Sequence, residues 1–335
     1  MKVVPAPGVF PEADFFCVHC GVTHNSRAAG GHRKMAGGAG GKVEGFSVSR
    51  ANDMNMPTSL SAANVPHPCR GMSTRIMQGV FAAVVLFACA AHAAGWKDSR
   101  EVGDIFRHAG VHGTFVLYDV SAQTFTGHER KRAETRFVPA STFKIPNTLI
   151  GLATGAVKSV DEVLPYGGAP QPFKSWEKDM GLREAIVISN VPIYQELARR
   201  IGLERMKDYV SRLDYGNREI GSAVDTFWLA GPLKISAVEQ TRFLAKLALG
   251  ELPFPKDIQG AVREIIRLEQ GTNWKLYGKT GLGNVAGVRV GWWVGWVQRD
   301  DRVYAFALNM DVRSESDVGK RVELGKASLK ALGLP

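Results

Sequence analysis

The stretch PASTFKIP, Pro139 to Pro146, sets Ser141 three residues before Lys144 and just ahead of an apolar run. A serine at that place is what a helix start looks like. It is also where a nucleophile would stand beside a base one turn along the same helix. The pair alone does not decide, because Ser175 and Lys178 in SWEK repeat the spacing. Pro146 adds a constraint. It is tolerated only near a helix start, where the backbone N–H groups lack partners, so a helix over Ser141–Val157 has to begin near Ser141.

Outward from that helix, GTFVLYDV (Gly113–Val120) and RFVPA (Arg136–Ala140) read as strands bounded by polar turns. Gly181–Gly202 reads as two helices broken at Asn190–Pro192, followed by a short helix over Met206–Leu213. Ser236 and Glu239 form a capping-box pattern before a helix that runs to Gly250. RVGWWVGWVQ (Arg289–Gln298) and RVYAFALNMDV (Arg302–Val312) read as a hairpin, and GKRVELGKASLKALG closes the chain with a helix. Strands thus open and close the region while helices fill its middle. That order predicts an α+β fold: an antiparallel β-sheet flanked by helices, with an inserted all-helical lobe.

Composition narrows the chemistry. Of the 335 residues, 45% are hydrophobic, enough for a sizeable core. The net charge is +10, but Lys and Arg occur only in short runs such as ERKR (Glu129–Arg132). A nucleic-acid binder concentrates them in a stripe, so no nucleic-acid partner is expected, and a modest positive field favours small anionic substrates. The eighth and last histidine is His128, so the remaining 207 residues hold no imidazole base or ligand. The cysteines, Cys17, Cys20, Cys69 and Cys89, all precede residue 94, so no disulfide is expected beyond it. No metal is expected: CVHC (Cys17–Cys20) is followed by no second ligand pair at zinc spacing.

The chain divides by composition into 1–71, 72–93 and 94–335. Residues 72–93 read as a secretory signal peptide, with Arg75 as the basic start, an apolar Val80–Ala91 run and an Ala91-His92-Ala93 cleavage pattern. The run is too short to span a membrane, so no stable span is expected once it is removed, and a periplasmic location follows. Leu86–Cys89 also resembles a lipobox, which leaves lipid anchoring through Cys89 as the alternative. The Gly-rich residues 1–71 show no hydrophobic period and are expected to be disordered, or to precede a true translation start at Met72.

Three Ser/Lys elements now stand in one chain: Ser141-Thr-Phe-Lys144, Ser189-Asn-Val191 in the helix break, and Lys279-Thr280-Gly281, expected just before the C-terminal strands. Such a set marks penicillin-recognising serine enzymes. Together with YGN (215–217), FWL (227–229), GWWVGW (291–296) and NMD (309–311), the order and spacing resemble the class D serine β-lactamases (oxacillinases) over Val102 to Leu332.

The residues themselves suggest an acyl transfer with Ser141 as nucleophile. The helix N-terminus would be aimed at the attacked carbonyl, and Lys144 would be made neutral by burial among Phe143, Val191 and Trp228. The resemblance implies more. Lys144 would be carboxylated by carbon dioxide or bicarbonate to N6-carboxylysine, the general base for acylation and deacylation, with no other cofactor. Trp228 would donate its indole N–H to that group, and Val191 would keep the pocket dry. The Ser141 and Leu282 N–H groups would form the oxyanion hole, and Ser189 would shuttle a proton to the β-lactam nitrogen. Lys279, Thr280, Gly281 and Arg321 would bind the substrate, with Arg313 as the rival for Arg321. Tyr215 lines the site or merely holds its turn, GWWVGW is sheet core, and Trp176 and Asp179 are structural.

The implied substrate is a small β-lactam, oxacillin and simple penicillins by default, with the oligomeric state open to a homodimer. The competing reading is a penicillin-binding transpeptidase or carboxypeptidase, or a sensor domain, that acylates and stalls. Val191 argues against it, since the transpeptidase usually has Asn there. A non-catalytic binding module would not need both Lys144 and Lys279.

Overall fold

Trp292 and Trp293 are neighbours in the chain and lie on opposite faces of one sheet. The computed structural model describes residues 95–335, and the readings for residues 1–94 lie outside the described residues. The sheet has seven strands: β1 (Gly95–Asp98), β2 (Gly113–Asp119), β3 (Thr124–His128), β4 (Arg267–Gln270), β5 (Trp274–Val285), β6 (Val288–Arg299) and β7 (Arg302–Asp311). Their order is β1-β3-β2-β7-β6-β5-β4. All pairings are antiparallel except β1 on β3 at one edge, which runs parallel and makes the sheet mixed.

Period-two alternation assigns each face. Trp292, Val294 and Trp296 of β6 and Ala305 and Ala307 of β7 join one core, while Trp293, Val297, Phe306 and Leu308 join the other. Helices α1 (Arg100–His108) and α9 (Lys320–Ala331) cover the second face. Helix α7 (Ala237–Leu249) covers the first. It starts with the expected Ser236/Glu239 capping box and ends at Gly250, left-handed at φ 72. Helices α3 (Lys144–Ala153), α4 (Leu182–Val187), α5 (Val191–Ile201), α6 (Leu203–Arg212) and α8 (Lys256–Ile265) build the helical lobe. A short α2 (Arg130–Glu134) leads out of β3.

Three local expectations are corrected. Arg136–Ala140 is not a strand: only Phe137 bridges, to Ile235. Pro139 offers no N–H to a ladder, and Ala140 turns left-handed at φ 49. The helix begins in two stages, a 3-10 turn over Ala140–Phe143 and then α3, which places Pro146 in its first turn. Lys279-Thr280-Gly281 does precede the C-terminal hairpin of β6 and β7, but it lies inside a further strand that the sequence did not reveal, β5, and pairs with Val294, Trp293 and Trp292. Glycines at 278, 281 and 283 break the apolar alternation that would reveal this strand.

Glycines make the packing close. A Cβ on Gly295 would overlap the Tyr277 carbonyl oxygen, and one on Gly325 of α9 would overlap the Trp293 ring. Gly325→Ala therefore forces a packed tryptophan to move, and is expected to destabilise the protein by about 1–3 kcal/mol. Urea denaturation monitored by tryptophan fluorescence measures it. An unchanged midpoint would contradict this helix–sheet contact.

Candidate active site

The nucleophile candidate sits where the lobe meets β5. Ser141 is buried, in the second position of the 3-10 turn. The turn is pinned from several sides. The Ala140 N–H donates to the Trp228 carbonyl at 2.9 Å, and the Trp292 indole N–H to the Val138 carbonyl at 2.9 Å. Thr142 Oγ1 donates to the Pro139 carbonyl at 2.8 Å and accepts from Gln240 of α7 at 2.8 Å. Gly281 of β5 comes so close that an added Cβ would sit 3.1 Å from the Pro139 carbonyl oxygen. Ala140 holds its left-handed φ of 49 within this frame. Such a conformation costs about 1–3 kcal/mol and persists only where the surroundings over-determine it.

Lys144 is fully buried, and its Nζ donates to Ser141 Oγ at 2.9 Å. Burial pushes its amine from 10.5 down to about 7. The Tyr194 ring lies under Nζ, 5.2 Å to its centroid, and the Tyr194 hydroxyl meets Thr148 Oγ1 at 2.9 Å. Phe143 stacks on Trp228 at 5.6 Å and meets Phe227 and Tyr215 edge-on. Trp228 is fully buried, and its indole N–H has no partner among the described residues. An unmet buried donor costs about 1–3 kcal/mol, so this one is suited to an acceptor in the pocket.

A second pair faces the first. Lys279 Nζ donates to Ser189 Oγ at 2.5 Å and to the Thr280 carbonyl at 3.0 Å. Burial lowers the Lys279 amine well below the ordinary lysine range, and the charges of Lys144 and Arg321 add to the effect. Ser189 is itself left-handed, at φ 57, in the break between α4 and α5. Asn190 fixes that break: its Oδ1 accepts from the Ile193 N–H at 3.1 Å, and its Nδ2 donates to the Trp176 carbonyl at 3.3 Å. Arg321, buried on α9, donates to the Gly281 carbonyl at 3.2 Å, whereas Arg313 is exposed.

Thr280 and Leu282 follow in β5, both half-buried, and Val191 opens α5, half-buried. Tyr215 stands behind Phe143, fully buried. Its hydroxyl donates to Gln240 at 3.4 Å, and burial raises its pKa. It therefore braces the turn and does not line an open cleft. Asn217 holds the adjoining loop by accepting from the Lys234 N–H at 2.9 Å and donating to the Pro232 carbonyl at 3.0 Å. Sequence reasoning missed Tyr194, Gln240 and Ala140. Tyr194 had one usable signal, its place three residues after Val191 on the same face of α5. Among the described residues no cluster of His, Cys, Asp or Glu is arranged to hold a metal ion.

A serine–lysine pair at a helix start, faced by Lys279 from a strand paired with Ser189 from a helix break, defines a serine acyl-transfer site of the penicillin-recognising kind. Residues 113–330 match the penicillin binding protein transpeptidase domain. Beta-lactamase OXA-5 of Pseudomonas aeruginosa is 41% identical over 254 residues, which are 75% of this chain and 95% of that one. Beta-lactamase OXA-48 of Klebsiella pneumoniae is 37% identical over 77% of this chain and 98% of its own. The crystal structure of FUS-1 (OXA-85), a class D β-lactamase from Fusobacterium nucleatum subsp. polymorphum, superposes with a TM-score of 0.69 at 44% identity. It covers 70% of this chain and 98% of that one. The chain belongs to the class D β-lactamase family.

The depressed Lys144 pKa has a definite sign. With a folded value of about 7 and an unfolded one of 10.5, the unfolded chain binds more protons between those limits. This group's contribution to stability therefore rises with pH across that window and is flat below it. NMR of protein labelled at the lysine Cε, kept free of bicarbonate, is expected to show two lysines, Lys144 and Lys279, titrating well below the ordinary range, the one near neutrality being lost in Lys144→Ala. A full set titrating near 10.5 would contradict this burial.

Proposed function

We propose that this protein hydrolyses β-lactam antibiotics of the penicillin and oxacillin type through an acyl-enzyme on Ser141. The observation that carries the proposal is the contact of Ser141 Oγ with the fully buried Lys144 amine at 2.9 Å. Ser141 Oγ attacks the β-lactam carbonyl, and its proton passes toward Lys144. The N–H groups of Ser141 and Leu282 receive the developing oxyanion. Ser189, hydrogen-bonded to Lys279, carries a proton to the departing β-lactam nitrogen. Lys279, Thr280 and Arg321 attract and orient the substrate carboxylate, with Gly281 letting the strand lie against the nucleophile turn.

The residues around Lys144 fit a carboxylated form of its side chain. The neutral amine adds carbon dioxide and loses a proton, the surrounding phenyl and indole rings exclude water, and the unpartnered Trp228 N–H suits one carboxylate oxygen. When present, that group supplies a general base for acylation and for the deacylating water, in place of a histidine. We assign the mature enzyme to the periplasm on the basis of residues 72–93. No helix among the described residues is long and apolar enough to cross a membrane. A homodimer is compatible with this reading.

Intact-mass time courses with benzylpenicillin test it. An adduct at Ser141 is expected to form and clear, faster with added bicarbonate. An adduct that forms and persists under both conditions would identify an acylating penicillin-binding or sensor protein instead. Lys144→Ala is expected to lower turnover by at least about 10²-fold, the range for losing a general base. Trp228→Phe keeps the ring and removes the donor. It is expected to weaken the 13C carbamate signal from labelled bicarbonate, and an undiminished signal would remove Trp228 from this role.

A further inference from the structure

Arg132 lies on α2, outside every role assigned above, yet it is 8% exposed and fully engaged. Its Nε donates to Asn309 Oδ1 at 2.7 Å and its Nη2 to Asp311 Oδ1 at 2.8 Å, both at the end of β7. Nη1 lies 3.1 Å from His112 Nδ1, and the same nitrogen is 2.8 Å from Asp311 Oδ2. Burial alone would raise the Asp311 carboxyl, but His112 and Arg132 more than offset it and hold it below its ordinary range. The guanidinium also covers the Phe137 ring, 4.9 Å to the centroid.

From Phe137 the chain runs directly to the nucleophile. Phe137 exchanges two backbone hydrogen bonds with Ile235, at 2.9 and 2.8 Å. Its ring meets Trp292 edge-on at 6.4 Å, and the Trp292 indole holds the Val138 carbonyl. Two residues on is Ala140, in the left-handed region, and Ser141 follows it. If Ala140 relaxed to an ordinary φ, the turn carrying Ser141 Oγ would rotate away from Lys144. Left-handed alanine needs such anchoring; left-handed glycine does not.

We propose that Arg132, tied to Asn309 and Asp311 and stacked on Phe137, is a positioning residue that holds Ala140 left-handed and so aims Ser141 at Lys144. This rests on Ser141 being the nucleophile. Arg132 touches neither the substrate nor the reacting atoms and acts on the acylation rate, not on substrate affinity. A lysine would keep the charge but not the planar fork that serves Asn309 and Asp311 together.

Single-turnover acylation by benzylpenicillin tests this on the full chain, with the adduct located by mass spectrometry. Absence of an adduct at Ser141 in the unaltered protein overturns the nucleophile assignment and the proposal with it. Given that adduct, Arg132→Met is expected to slow the acylation rate constant at least about tenfold with the substrate dissociation constant changed less than about twofold. Arg132→Lys is expected to recover little of the loss. Adding Ala140→Gly to Arg132→Met is expected to recover most of it, although glycine restores none of the Arg132 contacts. Unchanged acylation in folded Arg132→Met overturns the proposal, as does a loss that Ala140→Gly leaves in place or deepens. Should Arg132→Met not fold, Asp311→Asn weakens the same anchor, and its acylation defect must likewise yield to Ala140→Gly.

Discussion

The site depends on the burial of one amine. Lys144 sits fully inside the protein with a serine hydroxyl and the face of the Tyr194 ring beside its amine. Among the described residues no carboxylate offsets its charge, and burial away from water lowers its pKa toward neutrality. The remaining parts of the site serve that exclusion or use its result. Phe143, Phe227 and Trp228 stack into one aromatic cluster beside the turn, Tyr194 of α5 lies under the amine, and the left-handed Ala140 immediately precedes Ser141, whose hydroxyl meets that amine.

The sheet makes this burial possible by coming unusually close. Gly281 lets β5 lie against the 3-10 turn, while Gly295 and Gly325 let β6 pack tightly against β5 and α9. A strand bearing Lys279 can then face a helix start bearing Ser141 and a helix break bearing Ser189. The left-handed residues Ala140 and Ser189 flank the reacting centre from two separate segments. Strain on both sides of a site is compatible with rigid placement of its hydroxyls.

Much of this was legible in the chain. Ser141 and Lys144 carry the offset of one helical turn, but Ser175 and Lys178 share it, so these two together with Ser189 and Lys279 were legible only through the order of the whole motif set. The Ser236 capping box and the β6–β7 hairpin were plain, since caps and alternation are local signals. What stayed hidden depends on distant partners. Arg136–Ala140 has the composition of a strand, but Pro139 and the anchoring of Ala140 to the Trp228 carbonyl and beside Gly283 oppose one. β5 was obscured because its glycines answer to neighbouring strands, not to a hydrophobic period. Tyr194 and Gln240 act across the fold, Tyr194 on Thr148 46 positions away and Gln240 on Thr142 98 positions away, which no local pattern encodes.

The neutral amine has a consequence for how the protein fails. In an unfolded chain Lys144 is an ordinary ammonium ion, so the availability of its free amine near neutral pH is a product of folding and not of the residue. The pocket is walled by segments far apart in sequence, among them α3, α5, the Phe227–Trp228 turn and β5. Any transient parting of the lobe from the sheet admits water and protonates the amine, even while both cores stay intact. Chemistry and global stability are thus separable: warming or mild denaturant should silence the catalyst before the sheet melts, and restoring the dry pocket should restore it without refolding the chain.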